Sequence, residues 1–196
     1  MKKVNRIIED AVVTGETVLK LTDLKLTSLA EDIFTPLHGL QHLDISYNRL
    51  TSLPENIFAP LTSLQRLDIY NNRLTSLSKD IFTPLSSLQY LIISNNQLTS
   101  LPENIFAPLT SLQILNISYN KLTSLPEDIF APLTSLQMLD ITNIRLTSLP
   151  EKIFAPLISL ERLEMIAIPI SFFVIICNKL LHPDSKDMIY TAHNKS

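Results

Sequence analysis

The 196-residue sequence predicts an α/β solenoid, a chain that winds in successive coils around one flat apolar core. Three observations predict it. Phenylalanine falls at Phe34, Phe58, Phe82, Phe106, Phe130 and Phe154, a fixed period of 24 residues. Proline follows two residues later each time, at Pro36, Pro60, Pro84, Pro108, Pro132 and Pro156. The first third of every unit alternates apolar and polar residues as a strand does, while the rest fits neither a helix nor a second strand.

Laid in register, the coils begin at Glu16, Leu40, Leu64, Leu88, Leu112, Leu136 and Leu160. In the unit at residues 112–135, the apolar places are Leu112, Leu115, Ile117, Leu122, Leu125, Ile129, Phe130 and Leu133. Those side chains cannot offset the conformational entropy of ordering a whole coil alone. Neighbouring coils must share burial and pair their strands, so the predicted stability is a property of the stack.

The unit LxxLxLxxNxLxxLPxxIFxPLxx resembles the 24-residue "typical" class of leucine-rich repeat, and the match runs from residue 16 to about 163. The resemblance implies a right-handed horseshoe with a parallel β-sheet on the concave face. Turns or short helical segments cover the convex face. It also implies that Asn48, Asn72, Asn96 and Asn120 form an internal ladder, hydrogen-bonded to backbone that stacking buries. Leu24 and Ile144 depart from that column.

Both ends of such a stack need covers. Val4, Ile7, Ile8, Ala11 and Val12 recur at helical spacing before Thr14–Gly15, which predicts a capping helix over residues 2–14. The predicted organisation is a cap at 1–15, then repeats at 16–163 comprising six coils and the strand of a seventh. A degenerate cap with a polar, mobile tail follows at 164–196. The apolar run at 165–177 contains Pro169 and is short for a membrane span. It reads as a last degenerate coil, a membrane-associating tail or the remnant of a longer protein.

Composition argues against several chemistries. The net charge is −3, so nothing drives phosphate binding and nucleic acid is not an expected partner. Two glycines, Gly15 and Gly39, cannot build a phosphate cradle. His38, His42, His182 and His193 lack metal-ligand spacing, and Cys177 lies in an apolar run that keeps a thiol inert. No catalytic residue, metal or cofactor is expected. The sequon Asn116-Ile117-Ser118 is expected to be unmodified because the N-terminus does not read as a secretory signal.

The varying positions are those that point outward from each strand. Third places run Val18, His42, Arg66, Tyr90, Ile114, Met138 and Arg162; fifth places run Lys20, Asp44, Asp68, Ile92, Asn116, Asp140 and Glu164. Stacked in columns, Tyr90, Ile92, Ile114 and Met138 make an apolar patch. Asp44, Arg66 and Asp68 border it on one side, Asn116 lies within it, and Asp140 and Glu164 border the other, with Tyr70 and Tyr119 nearby. An apolar aromatic centre with a charged rim is interface anatomy. A second column, Lys25, Arg49, Arg73, Lys121 and Arg145, reads as a solvated edge that keeps the array soluble.

The functional expectation is a non-enzymatic protein-interaction module that binds another protein on its concave sheet. Relatives with extracellular roles usually carry cysteine-rich caps, and this sequence has one cysteine, so a cytoplasmic location is expected. The resemblance is strongest to leucine-rich-repeat proteins of intracellular bacteria, protists or large viruses, which implies a host-directed effector as a narrower role. The rival expectation is a membrane-tethered receptor-like fragment anchored through residues 165–181.

Overall fold

The computed structural model describes residues 2–166 and, at the level of the backbone, 189–193. Among the described residues one helix, α1 (Lys2–Thr14), precedes eight short strands: β1 (Val18–Lys20), β2 (His42–Asp44), β3 (Arg66–Asp68), β4 (Tyr90–Ile92), β5 (Ile114–Asn116), β6 (Met138–Asp140), β7 (Arg162–Ile166) and β8 (Ile189–His193). They form one parallel sheet in chain order. From β1 to β7 each residue pairs with the one 24 positions on, as Leu67 pairs with Leu91. The chain is a solenoid of about six turns with the sheet on its concave face.

Strands β1 to β6 occupy only the third to fifth places of their coils, whereas β7 runs on to the seventh. The sequence suggests ladders near 18–22, 42–46 and so on; in β1 to β6 they are two residues shorter. The chain bends away just after the sixth place. There Ile45 N–H still reaches the Asp68 carbonyl at 2.9 Å, and Ile69 N–H reaches Ile92 at 2.8 Å. The next turn is closed by the left-handed residue at the eighth place.

Leucine and isoleucine at the inward places are buried, apart from the partly buried Ile33, Leu53 and Leu146, and the six period-24 phenylalanines are at most 1% exposed. The rings form a spine: Phe82 stacks on Phe106 at 6.4 Å and Phe130 on Phe154 at 6.3 Å. Offset aromatic stacking adds to the gain from area alone. Proline at the twenty-first place sits among successive i to i+3 turns, such as Ala59 N–H to Asn56 and Leu61 N–H to Phe58, both 2.9 Å. Among the described residues the convex side is made of these turns, without helical segments.

The asparagine ladder is present. Asn72 Oδ1 accepts Leu50 N–H at 3.0 Å, and its Nδ2 donates to the carbonyls of Ile45 (3.0 Å) and Ile69 (3.1 Å). Asn48, Asn96 and Asn120 repeat the pattern, so each carboxamide ties its own coil to the one before. Asn48 also serves the irregular first coil, accepting from Leu24 N–H at 3.1 Å. Ile144 has no amide with which to do the same for Leu122.

The front cap has the predicted extent. Val4, Ile8 and Ala11 are buried against the first coil, whereas Val12, expected inward, is 43% exposed. Its place is one step around the helix from the buried stripe, over solvent. Gly15 ends the helix at φ 67°, with Glu16 N–H bonded to Ala11 at 3.0 Å and Gly15 N–H to Val12 at 3.3 Å, the paired bonds of a Schellman motif.

The C-terminal region departs from expectation in one place. Ile189–His193, within the stretch expected as a polar mobile tail, forms β8 and pairs in parallel with β7. Backbone pairing with β7 gives these residues ladder partners that their irregular side-chain pattern does not announce. The apolar run beyond residue 166 lies outside the described residues.

Candidate functional site

The concave sheet carries the outward side chains of the third and fifth places. Register sets Tyr90 beside Ile114 and Ile114 beside Met138 on β4, β5 and β6; the fifth-place row is Ile92, Asn116 and Asp140. Tyr90, Ile92, Ile114, Asn116 and Met138 are all half-buried. The strands therefore bring the predicted apolar patch together, with part of each side chain open to solvent.

The rim differs from expectation. Asp68 and Asp140, read from the sequence as exposed rim charges, are 2% and 7% exposed. Asp68 is enclosed by its neighbours: Arg66 donates from Nε to Oδ2 at 2.7 Å and from Nη2 to Oδ1 at 3.1 Å, and His42 Nε2 lies 2.8 Å from Oδ2. Asp140 Oδ1 accepts both the N–H (2.9 Å) and the hydroxyl (2.8 Å) of Thr142. A carboxylate so engaged closes a turn and is not offered to a partner.

The same turn recurs down the fifth column. Asp44 Oδ1 accepts Ser46 N–H at 3.0 Å, and Asn116 Oδ1 accepts Ser118 N–H at 3.0 Å and its hydroxyl at 2.6 Å. The sequon at Asn116 is thus folded into a strand end, with Ser118 2% exposed. The signal was in the sequence, as Asp or Asn followed two places later by Ser or Thr.

Arg66 is the exposed member of the rim. Its guanidinium forks onto Asp68 and lies 5.7 Å from the Tyr90 ring centroid, a cation–π contact that joins rim to patch. The Asp68 hydrogen bond, chiefly, raises its pKa above the ordinary arginine value. Tyr70, just past β3, meets Tyr47 edge-on at 5.0 Å, and burial, the main cause, pushes its hydroxyl pKa upward. At the far end Arg162 pairs with Glu164.

His42, Asp44 and Asp68 bring one donor atom each within 4.8 Å of one another. Asp68 already spends both oxygens on Arg66 and His42, and Asp44 holds Ser46. The arrangement works as a charge-neutralising network on β2 and β3.

The sequence marks the eighth column as outward and variable between coils, but its backbone conformation was not anticipated. Asp23, Tyr47, Asn71, Asn95, Tyr119 and Asn143 all have φ between 51° and 54°, and Tyr47 and Tyr119 are 53% and 57% exposed. Four of the six being Asp or Asn was the available signal for a left-handed column.

A family model described as "Leucine rich repeat" matches residues 17–74, 62–122 and 110–166, most of the chain. The chain belongs to the leucine-rich-repeat family. Leucine-rich-repeat domains generally mediate protein–protein interaction, and the fold is typically a non-enzymatic scaffold.

Solved leucine-rich-repeat structures agree. The Toll–Spatzle complex of Drosophila contains a chain 29% identical, with a TM-score of 0.66 over 71% of this chain and 19% of that one. YopM from Yersinia enterocolitica is 33% identical, with a TM-score of 0.64 over 84% of this chain and 32% of that one. The chain thus spans about a fifth and a third of the lengths of these two. A comparison with curated proteins gives no match.

Proposed function

We propose that the chain binds another protein on the concave face, across β4 to β6. The observation that carries this reading is the half-exposed apolar row Tyr90–Ile114–Met138, set in register on adjacent strands. The groups around it are already paired internally, so desolvating the row costs little in broken hydrogen bonds or stranded charge. Ile92, Asn116 and the exposed guanidinium of Arg66 extend it, with Tyr70 at its upper edge. Asp68 and Asp140 serve from beneath, holding Arg66 and the strand end in place.

The coarser half of this reading, protein interaction, is the general property of the family. The choice of face and residues is tested by a paired capture experiment. Wild type and the Tyr90→Asp/Ile114→Asp variant are used as baits for the same extract, and captured proteins are identified by mass spectrometry. A band lost with the variant while circular dichroism stays unchanged supports the reading; identical capture by both overturns it.

A cytoplasmic setting, and within it a host-directed effector role, is the narrower reading, supported by a capping helix and repeats built without cysteine. Among the described residues no helix is long and apolar enough to cross a membrane. Beyond residue 166, the anchor considered at 165–181 lies outside them. Fractionation of the full chain, supernatant against detergent extract, separates the two settings.

A further inference from the structure

The tenth place is a cation in every full coil but one: Lys25, Arg49, Arg73, Lys121 and Arg145, with Gln97 as the exception. It lies beyond the strand and past the inward ninth place, on the flank between the sheet and the convex turns. The backbone there is stacked as closely as in the sheet. Arg73 N–H reaches the carbonyl of Leu50, Lys121 that of Leu98 and Arg145 that of Leu122, each at 2.9 Å, and Arg49 reaches Leu26 at 2.7 Å. Coils joined by such bonds stand about 4.8 Å apart, so the cations form a ridge with that repeat.

Lys25 has Asp23 two places before it; from Arg49 onward the ridge is uncompensated. Among the described residues none of Arg49, Arg73, Lys121 and Arg145 pairs with a carboxylate. In their coils the seventh, eighth, twelfth and thirteenth places hold only Ser, Thr, Tyr and Asn. On the sheet side the fifth-place carboxylates are engaged: Asp44 holds Ser46, Asp68 holds Arg66, and Asp140 holds Thr142. Carboxylates such as Glu55, Asp80, Glu103 and Glu127 stand farther round, on the convex turns. Lys121 Nζ donates to Gln97 Oε1 at 3.1 Å, which carries its charge back over the coil that lacks a cation.

Arg49 and Arg73 on adjoining coils repel each other, a cost that a solubilising edge of mixed sign would avoid. A column kept at one sign selects the opposite sign in a partner. The repeat narrows the partner further. Along one face of an α-helix, side chains recur about every 5.4 Å, close to the ridge repeat of about 4.8 Å. Along one side of an extended strand they recur about every 6.6 Å and fall out of step within a few coils.

We propose that the flank ridge from Arg49 to Arg145 binds an acidic helical segment of a partner polypeptide, with carboxylates along one face. This surface is separate from the apolar row on β4 to β6, and the proposal stands independently of the concave reading.

The test uses two fluorescein-labelled synthetic peptides of about 16 residues, long enough to hold a helix. They share one composition of alanine, glutamine and glutamate. One sets its glutamates along a single helical face, and the other scatters them around the helix. Fluorescence anisotropy against the full chain should show the one-faced peptide binding about tenfold tighter. Its affinity should fall between about 0.05 and about 0.3 M salt. Arg49→Gln/Arg73→Gln, which places in the ridge the residue already found at Gln97, should weaken it about tenfold. Lys79→Gln/Lys152→Gln on the convex turns removes the same formal charge and should change it by less than about twofold. Tyr90→Ala/Ile114→Ala should bind the peptide as wild type does.

Equal affinity for the two peptides, or equal losses in the flank and convex variants, would reduce the ridge to unselective charge attraction and overturn the proposal. No binding of either peptide, or binding indifferent to salt, would do the same. Tighter binding of oligothymidylate or of phosphatidylserine vesicles than of the one-faced peptide would give the ridge to phosphate or membrane instead. A salt-labile oligomer in sedimentation, lost in Arg49→Gln/Arg73→Gln, would give it to the convex carboxylates of a second copy.

Discussion

Asn96 Oδ1 accepts the N–H of Leu74 at 3.0 Å, across a gap of 22 residues. The same carboxamide donates to the carbonyls of Ile69, Ile93 and Ser94 at 3.1, 3.2 and 3.3 Å, so one buried side chain satisfies four backbone groups in two coils. Asn96→Leu should therefore destabilise the chain by about 2–4 kcal/mol, because the backbone groups stay buried without partners. Ile144→Asn should do the reverse, by about 1 kcal/mol, by supplying the amide that Leu122 lacks. Urea unfolding of the two variants checks both signs. A neutral Asn96→Leu would mean that hydrophobic stacking alone sets the coil spacing.

Gly15 closes the cap helix at φ 67°, and a Cβ placed there meets nothing within 4 Å. The cost of Gly15→Ala is then conformational alone, about 1 kcal/mol. Because the front coil depends on Val4, Ile8 and Ala11 for cover, the loss should appear first as faster amide exchange in residues 18–26. Uniform exchange along the array would contradict the cap's role.

Tyr70 and Arg66 make stability sensitive to alkali. Burial raises the Tyr70 hydroxyl and the Asp68 hydrogen bond raises Arg66, so both hold their protons more tightly folded than unfolded. Their contribution is complete below the unfolded pKa, about 10 for tyrosine, and is lost as pH climbs through the folded value. Tm should be flat to about pH 9 and then decline, with a shallower decline in Tyr70→Phe. An identical profile for wild type and Tyr70→Phe would remove Tyr70 from the alkaline transition.

Most of the fold was legible because the repeat multiplies every signal. A phenylalanine at Phe106 alone says little, whereas six at one spacing place each ring in a shared spine. Tyr90, Ile114 and Met138 were legible as one row because strand alternation sets side and the period sets column. The fate of Asp68 was not, since it depends on Arg66 and on His42 from the neighbouring strand. Asp140 was misread for a more local reason, its bond to Thr142 two places on. The eighth-place backbone was hidden because Tyr47 and Tyr119 are residues that seldom adopt it. β8 was missed because Ile189–His193 carries none of the leucine pattern that marks the other strands.

The central claim is that a partner protein docks on the concave row. Site-specific photo-crosslinking reads it directly, with a benzophenone side chain at Ile114 on β5 and, as the convex control, at exposed Ala131. Irradiated in extract, the Ile114 probe should give a discrete adduct with a second protein, and the Ala131 probe should not. Equal adducts from both positions, or an adduct from Ala131 alone, would contradict the claim.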